Sequence, residues 1–139
     1  MSVRLIVPGV PAPQGSLVRT KFGVRDANPA TRPWRAAISA EAAAAMNGTR
    51  MLTGPVKVRA ELQLPRSKSH YGTGRNAGVL KASAPLYCET KPDADKLARA
   101  IGDALTGIVF RDDSQIVMWE IVKRYGDPAG CVVSVEVAA

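Results

Sequence analysis

Asp93, Asp95, Asp103, Asp112 and Asp113 all fall between Lys91 and Gln115, in a chain whose formal charge is otherwise basic at +7. Carboxylates gathered closely repel one another, so a compact cluster is tolerable only with a cation, a shared proton or water. Oxygen-only donors select hard ions, magnesium with manganese as its substitute. The spacing offers a way to gather them. Pro92 before an Asp-x-Asp and an apolar periodic run predicts a helix starting near Asp93, since Asp accepts from the free N–H groups of a first turn. Leu97, Ile101 and Leu105 recur at i, i+4, i+8 as a stripe to be buried. Thr106-Gly107 ends that helix with a glycine able to adopt the left-handed cap, and Ile108-Val109-Phe110 leads into the turn Arg111-Asp112-Asp113-Ser114. A helix, a turn and a strand in that order can bring Asp113 back towards Asp93 and Asp95.

Each of these residues also has a purely structural reading. Asp93 can be a helix cap alone, Asp95–Arg99 and Arg99–Asp103 surface pairs at i, i+4, and Asp112-Asp113 a polar turn. Asp103 in particular can lie on the exposed helix face.

Taken together, the residues resemble the RusA-type endodeoxyribonucleases, Holliday-junction resolvases common in phages and prophages. Lys91-Pro92-Asp93-Ala94-Asp95-Lys96-Leu97, Arg99, Asp103-Ala104-Leu105, Gly107 and Asp112-Asp113-Ser114-Gln115 carry the resemblance. It implies a magnesium-dependent nuclease acting on four-way junctions as a homodimer. Its metal-binding carboxylates fall on Asp93, Asp95 and Asp113, with Asp112 as an outer partner or occasional ligand. The family's essential lysine falls on Arg99 and its usual asparagine on Lys96. Arginine keeps the charge but cannot exchange a proton, so charge stabilisation is the role that survives at residue 99.

Charge is unevenly spread. Residues 1–92 hold 14 Lys/Arg against 4 Asp/Glu, whereas residues 93–139 hold 5 against 8. A basic surface around an acidic, cation-requiring site suits a polyanionic substrate. Arg19 and Lys21, which share parity with Arg25 in a basic hairpin, are candidate phosphate contacts, as are Arg66, Lys68, Arg75 and Lys81 in a long basic loop over residues 66–90. Lys91 and Lys96, flanking the aspartates, complete the set. Gly72-Thr73-Gly74 fits no nucleotide-binding fingerprint, so no nucleotide cofactor is expected. Cys88, Cys131 and the single His70 form no zinc set. No run approaches the roughly 20 apolar residues of a membrane span, and a cytoplasmic location is expected.

The elements that must position the site read in order. Val3, Leu5 and Val7 mark a half-buried strand, Leu17 to Arg25 a hairpin turning near Gly23, and Thr31 caps a helix that runs to Asn47-Gly48 with Trp34 as a core anchor. Residues 54–64 alternate cleanly as a strand, Ile116–Tyr125 and Cys131–Val137 follow the aspartate segment as two more, and Trp119 reads as packing. At 139 residues the chain suits one α+β domain, a mixed sheet packed with two main helices, small enough that a homodimer is the economical way to double its sites. The rival readings are a non-catalytic basic DNA-binding module with the aspartates as cap and turn residues, an Asp-x-Asp transferase, and a regulatory protein meeting an acidic partner.

Overall fold

A computed structural model describes residues 1–15, 17–26 and 28–138. Three alternating segments become sheet strands: β1 (Ser2–Pro8), β4 (Val56–Leu64) and β6 (Gly130–Val137). Residues 17–26 form a separate two-stranded ribbon, β2 (Leu17–Thr20) and β3 (Gly23–Asp26). The fourth strand of the main sheet is β5 (Ile116–Tyr125), giving the order β1-β6-β4-β5. Its β4–β5 pair is parallel and the β1–β6 and β4–β6 pairs antiparallel, so the sheet is mixed.

Alternation decides what the sheet buries. Val56, Val58, Ala60, Leu62 and Leu64 of β4 are all buried, and with Val3, Leu5, Val7, Val133 and Val135 they form one apolar face. Helices α1 (Thr31–Met46) and α2 (Ala94–Leu105) cover it, α1 against β1 and α2 against β5. The opposite face is polar, with Arg59 bridging Glu120 at 2.9 Å and Arg124 bridging Glu61 at 3.2 Å. The result is the expected α+β domain of one mixed sheet and two main helices.

On α2 the expected stripe holds: Leu97, Ile101 and Leu105 have no exposed surface. Complete burial of three such side chains contributes about 1.5–3 kcal/mol each. The helix ends where Thr106 folds its hydroxyl back onto the Gly102 carbonyl at 2.8 Å, and Gly107 takes φ +81°. Val109 and Phe110 then drop into the core, where the Leu52 N–H donates to the Val109 carbonyl at 2.8 Å.

Three local expectations are corrected. Thr31 is the first helical residue rather than the cap, which is Ala30; its hydroxyl donates instead to the Pro13 carbonyl at 2.6 Å, tying the segment after β1 to α1. The basic ribbon does not line Arg19, Lys21 and Arg25 along one extended face. Lys21 sits in the reversal between β2 and β3, and Arg19 is registered with Val24, Arg25 with Val18. The Arg25 side chain lies outside the described residues. The 66–90 loop, expected as a DNA-contacting flap ordered by binding or else as disorder, has structure of its own. It contains two short 3-10 turns and folds on itself, Gly72 N–H donating to Val79 and Lys81 N–H to His70, each at 2.9 Å. Its end is stitched to the outer edge of β5 by Cys88 N–H to Lys123 and Tyr125 N–H to Leu86, both 3.0 Å. No helix among the described residues is long and apolar enough to cross a membrane.

Candidate active site

An open cavity of about 610 Å³ lies between α2 and the start of β5, lined by Asp95, Arg99, Asp103, Asp113, Gln14, Trp119 and small or aliphatic residues. Helical spacing builds its acidic wall. Asp95, Arg99 and Asp103 stand at i, i+4, i+8, beside Ala94, Ala98 and Gly102 at the same interval, so one side of α2 presents a charged row and a row with almost no side chain.

Asp113 reaches this cavity because its turn is tightly held. Asp112 accepts from the Ser114 N–H at 3.0 Å, while Gln115 Oε1 accepts from the N–H groups of Arg111 and Asp112 at 2.9 and 3.1 Å. The Gln115 amide then donates to the carbonyls of Leu52 and Gly54, at 3.1 and 2.9 Å, fastening the turn to the segment before β4. Asp112 therefore has a positioning task and is not among the cavity's lining residues. The backbone hydrogen bond from Ser114, and then a side-chain hydrogen bond with Asp113, hold the Asp112 carboxyl below its ordinary value. The Asp113 carboxyl is pushed up, first by its hydrogen bond with Asp112, then by partial desolvation and the negative charges of Asp112 and Asp103.

The other residues singled out in the sequence divide. Asp93 occupies the N-cap position of α2, yet its carboxylate makes no capping hydrogen bond. It pairs with Lys96 at 3.7 Å and lines a neighbouring depression with Lys91, Pro92, Pro11 and Pro13. Among the described residues no group of three or more His, Cys, Asp or Glu is close enough to hold a metal ion, so Asp93, Asp95 and Asp113 do not stand as a ready-made triad. Arg99 is exposed and forms no ion pair or hydrogen bond among the described residues; the anticipated pairs with Asp95 and Asp103 are not made. Asp103 instead meets Arg35 of α1 at 3.7 Å. Arg19, Lys21, Lys68, Arg75, Lys81, Lys91 and Lys96 are exposed. Arg66 is committed internally: it donates to the Pro85 carbonyl at 2.8 Å and lies over the Tyr125 ring, 5.3 Å from its centre, with His70 edge-on to the same ring.

Asp103 and Trp119 are cavity residues that the sequence reading kept out of the site, the first as an exposed helix residue and the second as packing, and Gln14 goes unnamed in it. The repeat of four from Asp95 was a usable signal for Asp103. Nothing local signals Gln14, which arrives through its own N–H donating to the Lys96 carbonyl at 3.1 Å.

A small α+β domain with an acidic cavity on its second helix, an arginine in it that is unpaired among the described residues, and exposed basic residues elsewhere on its surface has the makings of a nucleic-acid hydrolase. The chain matches the family model "Endodeoxyribonuclease RusA" over residues 8–136, nearly its whole length, and belongs to that family. The family comprises endonucleases of the Holliday-junction-resolvase type, which hydrolyse phosphodiester bonds in branched DNA and generally depend on a divalent metal. The chain is also similar to the uncharacterized protein YqaN of Bacillus subtilis (strain 168), 29% identical over 115 residues, which is 83% of this chain and 79% of that protein.

Proposed function

We propose that this protein is a magnesium-dependent, structure-selective endonuclease that resolves four-way DNA junctions by paired cuts, working as a homodimer in the cytoplasm, or in the host cytoplasm if phage-encoded. The observation that carries the reading is the placement of Asp95 and Asp113 on one cavity with a free Arg99 between the helix carboxylates. The donor chemistry suits a divalent ion, around which the carboxylates would have to draw together. The donors are carboxylates, and the upward push on Asp113, set first by its hydrogen bond with Asp112 and by desolvation, includes repulsion from Asp112 and Asp103 that a cation would relieve.

Asp95 and Asp113 would hold the ion, with Asp93 joining them by leaving Lys96 and Asp112 supporting Asp113 from outside. When bound, magnesium supplies Lewis-acid activation of water and charge neutralisation at the phosphate. Arg99 offers its guanidinium to the phosphoryl oxygens as negative charge grows on them, and with no partner among the described residues it gives up no contact there to do so. The exposed Arg19, Lys21, Lys68, Arg75, Lys81, Lys91 and Lys96 supply phosphate contacts along the arms. Cutting opposed strands requires two symmetry-related sites, which a two-fold dimer provides.

The deciding experiment incubates the purified protein with matched four-way junction, flap and duplex DNA, with magnesium or with chelator. Paired cleavage of the junction only with magnesium is expected. Junction binding without cleavage under any divalent ion would instead establish a non-catalytic binding module.

A further inference from the structure

Trp119 has a placement that packing alone does not explain. The register between β4 and β5 shifts at Val56/Lys57: Val56 faces Ile116, but Lys57 faces Met118, so Val117 is an extra residue. A bulge of this kind re-aims the side chains beyond it. Trp119 is thereby registered with Val58, and Ile121 with Ala60, both buried positions on the helix-covered side of the sheet. Yet Trp119 stays 39% exposed, because between β5 and α2 that side opens into the acidic cavity. Its indole lies across Gly102, where an added Cβ would sit 3.5 Å from the ring, an ordinary contact that fills no gap.

A second feature of the cavity points to a ligand with donor groups. The side-chain oxygen of Gln14 is buried and has no hydrogen-bond partner among the described residues. An unpartnered buried acceptor is destabilising unless a ligand satisfies it. None of the cavity's lining residues hydrogen-bonds to this oxygen, and the row Ala94, Ala98, Gly102 brings almost no side chain into the space.

We infer that this cavity receives one unstacked nucleobase beside the cleavage site, stacked on Trp119 and donating an N–H of its edge to Gln14. A flat aromatic ligand with edge N–H groups matches both features, and stacking on an exposed aromatic is how proteins hold bases that have left a helix. Branch points supply such bases at lower cost than a continuous duplex, since helical stacking is interrupted there. The inference rests on the reading that branched DNA is the substrate, and it makes Trp119 a positioning residue that selects a branch over an intact duplex.

The test measures binding in chelator, so that no cleavage intervenes, to a four-way junction and to the same junction made abasic at the branch-point nucleotides. Wild type should prefer the intact junction by roughly 5- to 150-fold, the range of stacking on one aromatic. Trp119→Ala should bind both junctions alike, and Trp119→Phe should restore the preference, which also guards against a folding defect. Tryptophan emission should be quenched by the intact junction in wild type but not in Trp119→Phe, because the remaining Trp34, on α1, is buried in the core. A preference for intact DNA that survives in Trp119→Ala, or a wild type indifferent to the missing bases, overturns the inference. If wild type cleaves junctions with magnesium while either result is obtained, only the stacking role falls; if it neither binds nor cleaves them, the nuclease reading falls with it.

Discussion

Replacing Arg99 with alanine separates a catalytic role from a structural one more cleanly than any other change in the site. Arg99 is exposed and has no ion pair or hydrogen bond among the described residues, so its loss removes no fold contact of consequence. Alanine is also the better helix former, by a few tenths of a kcal/mol. Stability should therefore change by less than about 0.5 kcal/mol, and Tm by no more than about 2–3 °C. Activity should behave differently. A guanidinium aimed at developing phosphoryl charge is worth about 3 kcal/mol, so Arg99→Ala should lose about 10²-fold in rate. Arg99→Lys keeps the charge without the planar fork and should lose no more than about tenfold. Single-turnover cleavage of a four-way junction at saturating protein reads the chemical step, with thermal melts of both variants alongside. A folded Arg99→Ala cutting within about threefold of wild type, under 1 kcal/mol, would refute the reasoning and move attention to Lys96.

Further expectations follow from the turn, the loop and the thiols. Asp113 has a folded pKa above its unfolded value, so it stabilises the ion-free protein below the unfolded pKa, and that contribution is lost as pH rises through the folded one. Asp113→Asn should then melt at or above wild type at neutral pH in chelator while losing cleavage and the stabilisation by magnesium; a lower Tm in chelator would show that the carboxylate is not under repulsion. Gln115→Ala removes the amide that makes four hydrogen bonds around the turn and should cost about 1–3 kcal/mol by denaturant melts, with a larger fall in cleavage than in junction binding. In salt titrations of junction binding, Lys68→Ala should make the log–log slope shallower by about one, whereas Arg66→Ala, already occupied with Pro85 and Tyr125, should alter stability and leave the slope alone. Iodoacetamide at mildly alkaline pH should label Cys88 before Cys131, read by peptide mass spectrometry. Burial raises the Cys88 thiol, but hydrogen bonds with Tyr125 and Thr90 and the Lys123 charge outweigh it and bring it below the ordinary value, while burial pushes Cys131 up to about 12.

Periodicity made the frame legible. The alternation of β4 and the interval of four from Leu97 to Leu105 each state which side is buried, because burial on one face leaves that imprint whatever the partner is. Caps were less readable, since Thr31 and Asp93 both have cap chemistry and neither uses its side chain as a cap. One hydroxyl was drawn to Pro13 and one carboxylate to Lys96, competitors that lie outside the capping pattern. The site divides along the same line. Asp95 and Arg99 are related by a helix and Asp113 by a local turn, so sequence spacing carries them. That Arg66 also packs over Tyr125, far along the chain, is not legible from its loop. Trp119 depends on a single extra residue in β5: without the shift at Val117 the alternation from Ile116 would turn it to the polar face, away from the carboxylates. A bulge has no signature in a run of β-branched and aromatic residues, because every position there suits a strand. The direction of that indole is thus a property of the pairing between β4 and β5, and any role it has in holding DNA is written in their register rather than in the residues around it.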